Sequence, residues 1–94
     1  MTTPANDPAA IAARIREFVA RDLLFTPGTF PYDDQTSFLE EGIIDSLGVM
    51  ELVGFVQQEF GFLVDQDEIL PENFGSVASL TAYVMRRAGA AGNS

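Results

Sequence analysis

Few side chains in this 94-residue chain can do chemistry, because it holds no histidine and no cysteine. Their absence removes the commonest general base and metal ligand, every thiolate site and every Ser–His or Cys–His nucleophile. Carboxylates and hydroxyls remain. The Asp33-Asp34 and Glu40-Glu41 pairs read as solvated loop charges, since nothing around them indicates the apolar pocket that acid–base work requires. Asp65-Gln66-Asp67 has the spacing that opens a calcium loop. Ile69 stands at a ligand position there and the required glycine is missing, so no metal site is expected. The informative stretch is Gly42-Ile43-Ile44-Asp45-Ser46-Leu47-Gly48-Val49-Met50-Glu51-Leu52. No base stands beside Ser46, which makes it a poor catalytic nucleophile, whereas a serine that is the substrate of another enzyme needs no local base. No catalytic residue is assigned, and the chain is not expected to be an enzyme.

Helices must position that serine. Asp45 is the expected N-cap of a helix from about Ser46 to Phe60, stopped by Gly61. Upstream, Asp7 caps and Pro8 opens a first helix, with Ile11, Ile15, Phe18, Val19 and Leu23 on one apolar stripe. It should end before the turn signal Thr26-Pro27-Gly28. Thr29 to Ile44 has no sustained period, but its apolar side chains (Phe30, Tyr32, Phe38, Leu39, Ile43, Ile44) suit a loop lying across a bundle. After a connector, Pro71 to Phe74 has the length of one helical turn. A last helix runs from Ser76 to about Arg87, with Val77, Leu80 and Val84 inward and arginines in its last turn. The expectation is an all-α fold: three longer helices plus one short one, with a long first loop. Residues 1–7 read as a flexible leader, 8–88 as one domain and 89–94 as a flexible tail.

Charge narrows the partners. Fourteen acids face five bases, all arginine, and eleven of the acids lie between Asp33 and Glu72, where there is no base. Such a surface repels nucleic-acid backbones and anionic lipid, and steers toward basic patches on proteins. No apolar run is long enough to span a membrane, and Met1 to Asp7 lack the features of a secretory signal. A cytoplasmic monomer is expected, with neither nucleic-acid nor membrane partners.

The Asp45-Ser46-Leu47 segment after an apolar loop closely resembles the attachment motif of acyl carrier proteins. The likeness continues through Glu59-Phe60-Gly61 and Pro71-Glu72-Asn73-Phe74. It implies 4′-phosphopantetheine esterified to Ser46, with Asp45 as part of the motif and the helix cap. It also implies, as partners, a phosphopantetheinyl transferase, an acyl- or aminoacyl-loading ligase or synthase, and downstream biosynthetic enzymes. The residues suit this chemistry: a phosphodiester at the opening of a helix meets unpaired N–H groups and the positive end of the macrodipole. The chain has no thiol of its own, so thioester chemistry requires an added group.

On a helical wheel Val49, Leu52, Val53, Val56 and Phe60 face the core, while Leu47 and Phe55 fall on the opposite arc near Glu51 and Gln58. Leu47, Glu51, Phe55 and Glu59 are therefore the candidate partner-docking residues. The alternative is that Leu47 packs under the preceding loop and Phe55 under the following connector. Gly48, Gln57 and Gln58 depart from the acidic helix-two surface of fatty-acid-synthase carriers. That difference points to a discrete carrier in a dedicated secondary-metabolism pathway rather than a housekeeping fatty-acid carrier. An unmodified acidic interaction module is the rival from another class.

Overall fold

The three longer helices begin where the sequence supplies a capping side chain. A computed structural model describes residues 7–26 and 30–92, and those residues form helices, turns and loops with no strand among them. Asp7 caps α1 (Pro8–Phe18), its carboxylate accepting the Ala9 N–H at 3.1 Å, with Pro8 at the first helical position. The chain then widens into a π turn (Val19–Leu23), and Leu24 donates to the Val19 carbonyl at 2.8 Å. Phe25 closes this end with φ 57°, a left-handed conformation that costs a non-glycine residue about 1 kcal/mol. The expected leader lies outside the described residues except for Asp7, and so do Pro27 and Gly28.

Helix α2 (Ser46–Phe60) is capped by Asp45 and terminated by Gly61 at φ 78°, as its end glycine requires. Beyond a 3₁₀ turn (Gln66–Glu68), which the sequence did not signal, come α3 (Pro71–Phe74) and α4 (Val77–Gly92). Ser76 caps α4 by accepting the Ser79 N–H at 3.1 Å. Helix α4 continues past Arg87 into the segment expected as a tail. Its Ala88, Ala90 and Ala91 are strong helix formers; residues 93 and 94 lie outside the description.

The core is made by Ile11 and Ile15 of α1, Val19 of the π turn, Leu52 and Val56 of α2, and Val77, Leu80, Tyr83 and Val84 of α4. The long loop lies across these helices, and its attachments are specific. Phe38 is fully buried, and its N–H donates to the Gly75 carbonyl at 2.8 Å. Asp34 accepts Arg16 through both carboxylate oxygens (3.0 and 2.8 Å), and its carbonyl takes the Ala78 N–H at the start of α4. The loop thereby ties α1, α3 and α4 together. Leu39 and Tyr32, in contrast, stay exposed.

Arg86 and Arg87 do not occupy the last turn of α4. They reach sideways to α3 and the connector before it: Arg86 donates to Asn73 Oδ1 of α3 at 2.9 Å, while Arg87 pairs with Glu68 and donates to the Leu63 carbonyl at 2.9 Å. The Tyr83 hydroxyl also donates to Glu68, at 2.7 Å. That hydrogen bond, with the Arg87 charge, holds the Glu68 carboxyl below its ordinary range. Burial, followed by the Glu68 bond, pushes the Tyr83 hydroxyl up to about 12. Gln57 has a comparable task, accepting the Val64 N–H at 2.9 Å and fixing the chain leaving α2.

Candidate functional site

At the opening of α2 one residue is buried, one caps the helix and one is left free. Asp45 has an extended backbone, and its Oδ1 accepts the Gly48 N–H at 2.9 Å; its carbonyl accepts the Val49 N–H at 3.0 Å. The amides of Ser46 and Leu47 have no intrahelical partner and face outward, as the first amides of a helix must. Ile44 is buried, and it approaches the helix so closely that a Cβ on Gly48 would lie 2.6 Å from Ile44 Cγ2. Ser46, the first residue of the helix, is exposed, and its hydroxyl has no hydrogen-bond partner among the described residues.

Two recesses flank the serine. One, of about 330 Å³, is mostly apolar and runs between α2 and α3. Ser46, Val49 and Met50 form one wall, Leu70 and Phe74 another, and Leu39 of the long loop closes it. The second, of about 400 Å³, lies toward the end of α1, with Phe25, Asp45, Leu47 and Glu51 among its lining residues. Four of the arginines bond to acceptors elsewhere, Arg14 to Glu59, Arg16 to Asp34, Arg86 to Asn73 and Arg87 to Glu68, and Arg21 bonds to Asp22 at the edge of the second recess. The surface around Ser46 is left acidic.

The expected site residues divide into two groups. Asp45, Ser46, Leu47 and Glu51 come together at the opening of α2, and Leu47 is 69% exposed. Phe55 and Glu59 are turned toward α1 instead. The Phe55 ring stacks on Phe18 at 4.3 Å and 14°, with Phe60 edge-on at 6.0 Å, and Glu59 pairs with Arg14. The wheel put Phe55 on a free face because it represents one helix alone; the neighbouring α1 covers much of that face. Phe55 and Glu59 still line a shallow cleft with Glu51 and Asp22. Met50 and Phe25 were missed. Met50 had a readable signal, standing four residues after Ser46 and hence on its side of the helix. Phe25 had none beyond its place before a turn.

An unhindered hydroxyl, free helix-opening amides beside it and an apolar groove leading away form a site that accommodates a phosphodiester and a long flexible arm. The comparisons with known proteins agree. The family model "Phosphopantetheine attachment site" matches residues 13–84. A probable acyl carrier protein, PigG, of Serratia sp. (strain ATCC 39006) is 41% identical over 54 residues, 57% of this chain and 62% of that protein. The match thus spans less than two thirds of that relative's length. A chain in a solved structure described as "Crystal structure of FAD-dependent dehydrogenase" superposes with a TM-score of 0.63 at 36% identity, over 73% of this chain and 96% of the other. With a family match across most of its length and a helical bundle that presents the motif serine, the chain belongs to the phosphopantetheine-binding acyl carrier proteins, which carry covalent 4′-phosphopantetheine and are carriers rather than enzymes.

Proposed function

We propose that Ser46 is the attachment residue, and that the protein serves a dedicated secondary-metabolism pathway in the cytoplasm. One observation carries the assignment: Ser46 is the exposed first residue of α2, while Asp45 beside it is engaged as the cap. In the attachment step the Ser46 Oγ attacks the coenzyme A phosphorus nearest the pantetheine. The new O–P bond replaces the bond to the bridging oxygen, adenosine 3′,5′-bisphosphate leaves, and the serine proton passes to a base of the transferase. When bound, the arm supplies the thiol that holds an acyl or aminoacyl group as a thioester. The outward amides of Ser46 and Leu47 stabilise the phosphodiester, and the groove between α2 and α3 shelters apolar cargo from water.

Leu47 and Glu51, exposed beside Ser46, contribute the docking surface for the transferase, the loading ligase or synthase, and later enzymes. The similarity to PigG supports a specialised pathway. The attachment site is tested by incubating the chain with coenzyme A and a broad-specificity transferase. Intact mass rises by one phosphopantetheinyl group, and Ser46→Ala abolishes the rise while leaving the helical circular dichroism unchanged. A Ser46→Ala variant that still gains the group refutes the assignment.

A further inference from the structure

We propose that Phe25 is a docking residue: with Leu47 it forms the apolar centre of the surface on which the transferase seats itself to esterify Ser46. The inference rests on Ser46 being the attachment site. Phe25 stands just past the end of the first helix at φ 57°. The helix closes around it through the Leu24 N–H on the Val19 carbonyl and the Thr26 N–H on the Ala20 carbonyl, at 2.8 and 2.7 Å. Glycine or asparagine is usual at such a position, because a Cβ is strained there. Phenylalanine strains the backbone and buries almost nothing in return, since its side chain is 79% exposed. Leu23, two residues earlier, already anchors this segment against the core. Folding therefore gives no reason for the ring, and a strained, exposed aromatic points to function.

Its surroundings identify the partner's chemistry. Phe25 lines the same recess as Asp45 and Leu47, the two sequence neighbours of Ser46. Asp45 and Glu51 stand around this apolar centre with Asp22, and among the described residues Arg21, the cation beside it, is bonded to Asp22, which leaves the charge of Asp45 and Glu51 unopposed. The complementary surface is an apolar socket ringed by lysine or arginine. Of the enzymes that meet a carrier, the transferase forms its bond at the Ser46 oxygen itself, so it must cover Asp45 and Leu47. Enzymes that act on the thiol work at the far end of the arm.

The test measures transferase kinetics by intact mass against carrier concentration, using a broad-specificity phosphopantetheinyl transferase and coenzyme A. Phe25→Gly and Phe25→Asn remove the ring and suit the left-handed backbone. Both are expected to lower kcat/KM about tenfold, chiefly through KM, while Tm holds or rises. Leu63→Ser, equally exposed at 76% but beyond the far end of α2, leaves kcat/KM unchanged. Equal kcat/KM for wild type and both Phe25 variants overturns the inference, and so does a fall in Tm in both, which would assign the ring to folding. A wild type that is never modified removes the Ser46 assignment, and this inference with it. Normal modification of wild type and Phe25 variants alike removes this inference alone.

Discussion

Gly48 and Gly54 lie in one helix, yet replacing each by alanine is expected to shift stability in opposite directions. Alanine is the better helix former by roughly 0.8–1 kcal/mol. At Gly54 a Cβ would have nothing within 4 Å, so Gly54→Ala should stabilise by about 0.5–1 kcal/mol. At Gly48 the added Cβ would stand 2.6 Å from Ile44 Cγ2 and 3.0 Å from Ile44 Cβ, whereas apolar carbons settle at about 3.5–4.0 Å. Ile44 cannot swing clear. It is buried and β-branched, and its N–H is bonded to the Phe38 carbonyl at 3.3 Å. Overpacking of this kind costs about 1–3 kcal/mol. Set against the propensity gain, the net effect of Gly48→Ala is a loss of about 1 kcal/mol. In a domain of this size the two variants should differ in Tm by about 10 °C. Thermal and urea unfolding followed by circular dichroism measure the difference. Ile44→Ala removes the clashing methyl and keeps only the 3.0 Å approach to Cβ, so in that background Gly48→Ala should lose most of its penalty, a coupling read from the double-mutant cycle. If Gly48→Ala raises Tm as much as Gly54→Ala, or costs the same with Ile44 truncated, close approach of Ile44 is not the reason for the glycine.

Two further perturbations separate structural from surface roles. Phe55→Ala should cost about 2 kcal/mol, because the ring is half-buried on Phe18, whereas Leu47→Ala should stay within about 0.5 kcal/mol of wild type; denaturant unfolding compares them. The burial of Tyr83 and its hydrogen bond to Glu68 set pH limits at both ends. Glu68 has a folded pKa below its unfolded value, so its contribution is present above the ordinary carboxylate range and is lost as pH falls through the folded value. Glu68→Gln should flatten the acid limb of stability against pH. Tyr83 is raised from 10.0 to about 12, so its contribution is full below pH 10.0 and is lost as pH climbs toward 12. Tyr83→Phe should remove that alkaline loss, measured by urea unfolding across the range.

Local rules located the helices well, because the signals that start and stop them act over a few residues. Asp7, Asp45 and Ser76 cap, and Gly61 stops α2 in the left-handed conformation its position demands. The same signals put Ser46 at a helix opening, where the structure has it. Where local signals were weak the sequence was silent: the π turn and the 3₁₀ turn depend on how neighbouring segments pack, and no residue type marks them.

Only the tertiary structure decided which side chains around Ser46 are free. Helix periodicity assigns faces to one helix at a time, so Phe55 and Leu47 looked alike on the wheel. Packing of α1 against α2 turned Phe55 onto Phe18 and engaged Glu59 with Arg14, and it left Leu47 in solvent beside Phe25. The arginines of α4 likewise found partners in α3 and the connector before it rather than in the last turn of their own helix. Capping is settled by atoms three or four residues apart, while exposure is settled by segments tens of residues away, whose approach is fixed only when the core closes.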